Sequence, residues 1–324
     1  MTEAGIRAGL AAGAAVVVAK SINESQAARD QLAQSAYMRT AEDWQALPWQ
    51  GTGGSVLCRS GLQPRTCADW IAAVATLDRE ARTQDAYVAA SLILADLDAA
   101  VSLARAVEAA GIRLLEFNVG TPYGDEATHG GVATERAAAR VRVQVEAVTR
   151  AVAIPVWVKL TGQSENVAAL AAAARDGGAA AVTMIGRMLG MLPDLDTMAP
   201  ALDTNLGYGG PWALPLTCYW LARSRRQLGS GFPLVGTNGA RCGADVARML
   251  LAGASAVEMC SAVMTGGFPV LRAAIDDLSA YLQAHRADAA AIIGRAGDRV
   301  RSFAELPVRG APWRDYVPPA TLDA

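Results

Sequence analysis

Asn118-Val-Gly-Thr-Pro-Tyr123 brings a carboxamide and a hydroxyl to the point where the apolar run Leu114-Leu-Glu-Phe117 stops. A second run, Ile154-Pro-Val-Trp-Val-Lys-Leu160, ends in the ammonium of Lys159. A threonine hydroxyl such as that of Thr121 is a poor base unaided, but it can pass a proton on to water or to a neighbouring acid. A lysine at a strand end is a fixed positive charge. In a (β/α)8 barrel the reacting groups stand at the C-terminal ends of the strands, so two strands that end in chemistry point to that fold.

The elements that must position these groups alternate along the chain. Strand-like runs fall near Ala15–Ala19, Tyr87–Ile93, Leu114–Asn118, Val156–Lys159, Ala180–Met184, Leu234–Thr237 and Ala256–Met259. Helical runs rich in Ala and Leu lie between them at Ala95–Ala110, Glu135–Val152, Asn166–Asp176, Leu214–Leu228, Ala244–Leu251 and Pro269–Ala284. This βα alternation is the pattern of a parallel sheet covered by helices, an α/β TIM barrel one strand short of closure. Gln50 to Pro64, with Gly51, Gly53, Gly54 and Gly61 around Ser55-Val-Leu-Cys58, reads as an inserted hairpin. Residues 1–294 are expected to form one barrel domain, and the proline-bearing tail 295–324 an irregular arm.

Composition bounds the function. The 324 residues are 52% hydrophobic, enough for one large core. The 29 Lys and Arg against 31 Asp and Glu include no basic block, so nucleic acid is not an expected partner and a small molecule is. Five cysteines without a CxxC pair argue against structural zinc, an iron–sulfur cluster or a disulfide framework, and no metal is expected. A reducing cytoplasm fits. The opening apolar run Ile6 to Ala19 is too short to span a bilayer, and Val16-Val-Val18 within it reads as a buried parallel strand, so no membrane association is expected.

The ordered segments Val18-Ala-Lys-Ser-Ile22, Ser60-Gly-Leu-Gln63, Asn118-Val-Gly-Thr-Pro122, Val158-Lys-Leu-Thr161, Tyr208-Gly-Gly-Pro211, Val235-Gly-Thr-Asn-Gly239 and Cys260-Ser-Ala262 resemble dihydroorotate dehydrogenase and the related FMN domain of dihydropyrimidine dehydrogenase. The match runs from about Gly13 to Tyr281. It rests on the joint order of the segments, since no single one is specific. The resemblance implies an FMN-binding barrel that oxidises a carbon–carbon bond next to a carbonyl. By the same match, Lys159 and Lys20 lie against the flavin, with Lys159 opposing the charge that builds up on reduction. Thr183 belongs to the same cofactor site. Gly209, Gly210, Gly236, Thr237, Asn238, Gly239, Cys260 and Ser261 are implied in phosphate binding through backbone N–H groups. Asn118 would hydrogen-bond substrate or flavin, and Thr121 stands where family members carry a cysteine or serine base. Read singly, Thr121 is also a turn residue before Pro122, Lys159 and Lys20 are strand-end lysines turning into solvent, and Gly-Gly-Pro is a turn.

Departures from the family pattern bear on the substrate. Cys58 stands where the family has asparagine, and Gly186-Arg187 replaces an expected Asn-Thr pair. Losing those amides disfavours orotate or uracil. Arg187 offers a forked cation that suits a carboxylate or phosphate, unless it is paired with Asp194 or Asp196. A small anionic substrate is therefore expected. The family's first strand has no counterpart before Gly13, which leaves a barrel open at that strand or a start codon assigned too late. Two further expectations concern the loop Tyr123 to Val132, which carries Asp125, Glu126 and His129 and is expected to close as a lid, and the electron acceptor. That acceptor would be a soluble compound, a quinone or a partner protein with its own cofactor. The family resemblance implies a homodimer, with no interface legible in the residues. The alternative function is a barrel without flavin chemistry that serves as a subunit or binding protein.

Overall fold

The computed structural model describes residues 2–121, 132–318 and 321. In chain order its strands are β1 (Val16–Val18), β2 (Ala36–Thr40), β3 (Ala46–Leu47), β4 (Ser55–Arg59), β5 (Tyr87–Ile93), β6 (Leu115–Asn118), β7 (Val156–Lys159), β8 (Ala181–Met184), β9 (Met188–Gly190), β10 (Leu206–Gly209), β11 (Leu234–Thr237) and β12 (Ala256–Glu258). Seven of them form one parallel sheet in the order β1-β5-β6-β7-β8-β11-β12, curled as an open TIM-type barrel with helices outside. Each strand follows the last by a crossover, which parallel neighbours require.

The runs that build this sheet are apolar because both faces are covered. On β6, Leu115 and Phe117 are fully buried against the outer helices, so the alternation of a strand turns Glu116 and Asn118 inward. Several of the helix starts, that at Val167 among them, are fixed by side-chain caps. Thr66 accepts from the Asp69 N–H, Asp96 from Ala99 and Asn166 from Ala169, at 2.8 to 3.1 Å. Helix Cys67–Ala81 then buries Trp70, Ile71, Val74 and Leu77 on one face, a helical spacing that covers the β1 and β5 side of the barrel.

The apolar opening run divides in two. Helix Glu3–Ala11, capped by Thr2, buries Ile6 and Leu10, and the chain then turns through Gly13 into the three-residue β1. β1 pairs only with β5 and β12 only with β11. The two ends of the sheet do not meet, and among the described residues no strand lies between them. The interior consequently stays partly open on this side, with Ala256 exposed and Val257 and Glu258 half-buried.

The glycine-rich segment around residue 55 pairs differently from the expected hairpin. β4 is the central strand of a five-stranded antiparallel sheet ordered β3-β2-β4-β10-β9. Its partners are β2, with β3 between them in the chain, and β10, where Gly209 faces Val56 across the ladder. Local turn chemistry points to a hairpin, but a partner so distant in sequence leaves no local trace. This sheet lies over the loops that follow β11 and β12, because Gly54 and Val56 line one cavity with Gly239 and Ser261. The C-terminal arm consists of short turns, Gly297–Arg299, Phe303–Glu305 and Pro312–Tyr316, with Phe303 and Val308 in solvent.

Candidate active site

Strand register gathers the central groups. Asn118 stands beside Lys159, and Lys159 beside Thr183, at the C-terminal ends of β6, β7 and β8. Lys159 Nζ donates to both carboxylate oxygens of Glu258 at 2.7 and 2.8 Å and lies 3.5 Å from Glu116 Oε2. β8 and β11 separate β7 from β12 in the sheet, so this ion pair crosses the barrel interior. Glu116 Oε1 accepts from Ser91 Oγ at 3.0 Å, and Ser91 Oγ shares a hydrogen bond of 2.8 Å with Ser21 Oγ. A continuous polar chain thus runs from the end of β1 to the end of β12.

Electrostatics follow from this arrangement. Burial works against the Lys159 ammonium, but Glu116 and Glu258 outweigh it and hold its pKa above the ordinary lysine value. Burial pushes the Glu116 carboxyl up, and Lys159 pulls it partly back. Lys20 is lowered by burial first and by the nearby Arg187 guanidinium second. Neither Glu116 nor Glu258 is among the residues that the sequence singled out. Both carried a signal: Glu116 shares the inward face of its strand with Asn118, and Glu258 ends β12 as Lys159 ends β7.

The remaining expected residues fall into two groups. Arg187 donates through Nη1 to the Cys58 sulfur and through Nη2 to Ser60 Oγ at 3.3 Å. Of the two carboxylates expected as alternative partners for Arg187, Asp194 is engaged with Thr197. Cys58 is buried and also points at the Gly207 carbonyl. Lys20 and Cys260 lie within electrostatic reach of Arg187, so two cations and two thiols share one side of the mouth.

The second group surrounds the cavity under the antiparallel sheet. Gly210, Gly239 and Ser261 line it. Asn238, in the left-handed region at φ 69°, ties the loops together by accepting from the Gly210 N–H at 3.2 Å and donating to the Gly186 carbonyl at 3.3 Å. The glycines here are required by the protein itself. A Cβ on Gly210 would come within 2.9 Å of Ser55 Cα, and one on Gly239 within 2.7 Å of the Leu214 backbone. Gly209 approaches the Asn238 side chain in the same way. Gly236 lies within β11 and packs against Met249 and Leu221 of the helices behind the sheet, while Thr237 ends that strand with its carbonyl accepting from Thr217.

Thr121 is 4% exposed, and its carbonyl accepts from the Thr134 hydroxyl. Asn118 Oδ1 accepts from the Gly120 N–H at 2.9 Å and so shapes the turn leading to Thr121. Gly120 is needed there, since a Cβ would sit 2.0 Å from the Thr161 nitrogen. Of the expected lid, residues 122–131, with Asp125, Glu126 and His129, lie outside the described residues. Among the described residues no cluster of His, Cys, Asp or Glu could hold a metal ion, and no helix is long and apolar enough to cross a membrane.

One observation tests whether these residues fit a flavin. Thr183 Oγ1 is buried beside Lys159 and has no hydrogen-bond partner among the described residues. A buried hydroxyl without a partner is costly and calls for a group that the protein does not supply. Together with Lys159 at the next strand end and a cavity lined by Gly210, Gly239 and Ser261, it fits a ligand with a polar ring edge and a phosphate.

Comparison with known proteins agrees with this geometry. The family model described as dihydroorotate dehydrogenase matches residues 49–282, well over half of the chain. Dihydroorotate dehydrogenase A (fumarate) of Limosilactobacillus reuteri is 36% identical over 153 residues, which cover 46% of this chain and 48% of the relative. The protein of the same name from Lactiplantibacillus plantarum is 35% identical over 187 residues, 57% and 59% of the two chains. The catalytic subunit of dihydroorotate dehydrogenase B (NAD(+)) from Streptococcus pneumoniae is 32% identical over 162 residues, 50% and 51%. The chain thus spans about half the length of the curated relatives that it matches. With its parallel barrel, its strand-end lysine and a family model that covers most of its sheet, the chain belongs to the dihydroorotate dehydrogenase family.

Proposed function

We propose that the chain is an FMN-dependent oxidoreductase acting on a carbon–carbon bond next to a carbonyl in a small anionic substrate other than orotate. The observation that carries this reading is Lys159, held charged by Glu258 and Glu116 beside the Thr183 hydroxyl, which has no partner among the described residues. FMN bound here would supply the acceptor for the substrate's hydride. Lys159 and Thr183 would hold its polar edge, and the loops bearing Gly210, Asn238, Gly239 and Ser261 its phosphate. Lys159 keeps its charge across neutral pH because its pKa is raised, so it opposes the negative charge that reduction adds.

On the substrate side, Lys20 and Arg187 place two positive charges near Cys58, which favours a carboxylate over a neutral ring. Thr121 Oγ1 is the group that passes on the substrate's proton. Asn118 orients the turn that carries it. The acceptor of the electrons is a soluble compound or a partner protein. The relatives' names carry fumarate and NAD(+), which makes those two the first acceptors to assay.

The test is anaerobic mixing of the FMN-loaded chain with a panel of small carboxylated carbonyl compounds and with dihydroorotate, followed by flavin absorbance. The expected result is faster bleaching by a non-pyrimidine acid than by dihydroorotate. Fastest bleaching by dihydroorotate would overturn the substrate assignment, and no bleaching by any compound would overturn the activity.

A further inference from the structure

Arg39 on β2 is 6% exposed, yet neither its Nε nor its Nη1 meets an acceptor among the described residues. An arginine cannot escape this situation by losing its proton, because its pKa lies far above neutrality. Its burial without a partner is therefore unfavourable unless a counter-charge arrives from outside the chain. Space has been left for the guanidinium. A Cβ on Gly51 would fall 2.5 Å from Nη1 and 2.8 Å from Nη2, and Gly54 packs along the same side chain.

The direction of Arg39 follows from register. Arg39 faces Val56 across the β2–β4 ladder, and Val56 faces Gly209 across the β4–β10 ladder. Cross-strand partners project from the same face of a sheet. Val56 lines the cavity bounded by Gly53 and Gly54 on one side and by Gly210, Gly239 and Ser261 on the other. Arg39 thus shares the sheet face of Val56, and its side chain packs along Gly54 at the rim of that cavity rather than among the residues that line it. The arginine that lines the cavity, Arg241, has its charge balanced by Asp245 at 3.0 Å. Arg39 Nε and Nη1 meet no such counter-charge among the described residues.

We propose that Arg39 is a phosphate-binding residue, which closes the cavity from the side opposite the β11 and β12 loops and neutralises the phosphate monoester of a bound mononucleotide. This rests on the flavin mononucleotide reading for the identity of the ligand, whereas the phosphate chemistry follows from Arg39 and the cavity alone. A guanidinium presents paired donors that match phosphate oxygens, and burial strengthens that contact.

The experiment titrates the flavin-free chain with FMN and with riboflavin, which lacks the phosphate, reading quenching of flavin fluorescence. In parallel, the thermal midpoint is recorded with inorganic phosphate and with chloride at equal ionic strength. The wild-type chain should prefer FMN to riboflavin. Arg39→Met should weaken FMN binding by about 10- to 100-fold, the worth of a charged hydrogen bond, and leave riboflavin unchanged. Arg39→Lys, which keeps the charge without the fork, should fall between them. Phosphate should raise the wild-type midpoint more than chloride does.

Equal weakening of both flavins in Arg39→Met would reduce Arg39 to a structural role and overturn the proposal, as would unchanged FMN binding. Should Arg39→Met fail to fold, Arg39→Lys together with the wild-type phosphate response decides the matter. If the wild-type chain takes neither flavin but phosphate still stabilises it through Arg39, the cofactor reading fails while the phosphate site stands. No flavin binding and no phosphate effect would end both.

Discussion

Replacing Lys159 with methionine keeps the length of the side chain and removes its charge, leaving Glu116 and Glu258 to face one another across the barrel interior. The Glu116 side chain is 3% exposed and would retain only the Ser91 hydroxyl, whereas Glu258 is 23% exposed and can recruit water. Removing one partner of a buried ion pair costs about 3–5 kcal/mol, and most of that loss should sit on Glu116. A drop of the thermal midpoint on the order of 5–10 °C follows. The pH dependence has a definite sign. Glu116 already has a raised pKa, and without Lys159 it rises further above the unfolded value of about 4.3. The cost of its buried charge is full above the folded pKa and vanishes below the unfolded one, so the deficit should be largest at alkaline pH and shrink as pH falls. Lys159 does not distort this window in the wild type, because its raised pKa keeps its contribution intact below about pH 10. Urea unfolding followed by tryptophan fluorescence from pH 8 to pH 5 measures the deficit. The pair Lys159→Met with Glu116→Gln should recover most of it, and more than Lys159→Met with Glu258→Gln. A deficit that does not change with pH, or no rescue by Glu116→Gln, would show that the cost does not lie in a buried Glu116 charge.

Two further outcomes follow from the geometry. Arg113 grips the fully buried Asp78 at 2.8 and 2.9 Å, while Val88 N–H supplies a third bond, so Arg113→Met should cost about 3 kcal/mol in urea unfolding at pH 7. Burial opposes the Asp78 charge but Arg113 and Val88 outweigh it, and the lowered pKa gives stability that is present above about pH 4 and lost as pH falls through the folded value. Thr121→Ala should slow substrate-driven flavin reduction by about 100-fold or more without weakening FMN binding, with Thr121→Ser retaining most of the rate. Intact reduction in Thr121→Ala would place the proton transfer elsewhere.

The parallel sheet was legible because its strands are short apolar runs bounded by helices with clear starts. Tyr87–Ile93, Val156–Lys159 and Leu234–Thr237 agree residue for residue with β5, β7 and β11, and the helices Leu214–Leu228 and Pro269–Ala284 agree likewise. The antiparallel sheet was not legible. β4 bonds to β10 across the intervening barrel units, and that pairing depends on tertiary folding rather than on local pattern. Helix Cys67–Ala81 did carry its own signs in the Thr66 cap and the Trp70, Ile71, Val74 and Leu77 stripe. Within the site, Lys159 and Asn118 were visible as polar strand ends. Glu116 was hidden inside an apolar run, and its part emerges only when Lys159 and Glu258 are seen to meet across the interior. Arg39 had no sequence signal, since a lone arginine in a strand is ordinarily solvated; its burial sets it apart.

The most direct test of the account is a titration of the purified, flavin-free chain with FMN. Saturable quenching at one FMN per chain is expected, weakened about tenfold or more in the folded Lys159→Met, Glu116→Gln pair, which removes the cation while sparing the core. Absence of saturable binding by the wild-type chain, or equal binding by the pair, would contradict the claim that Lys159 organises a flavin site.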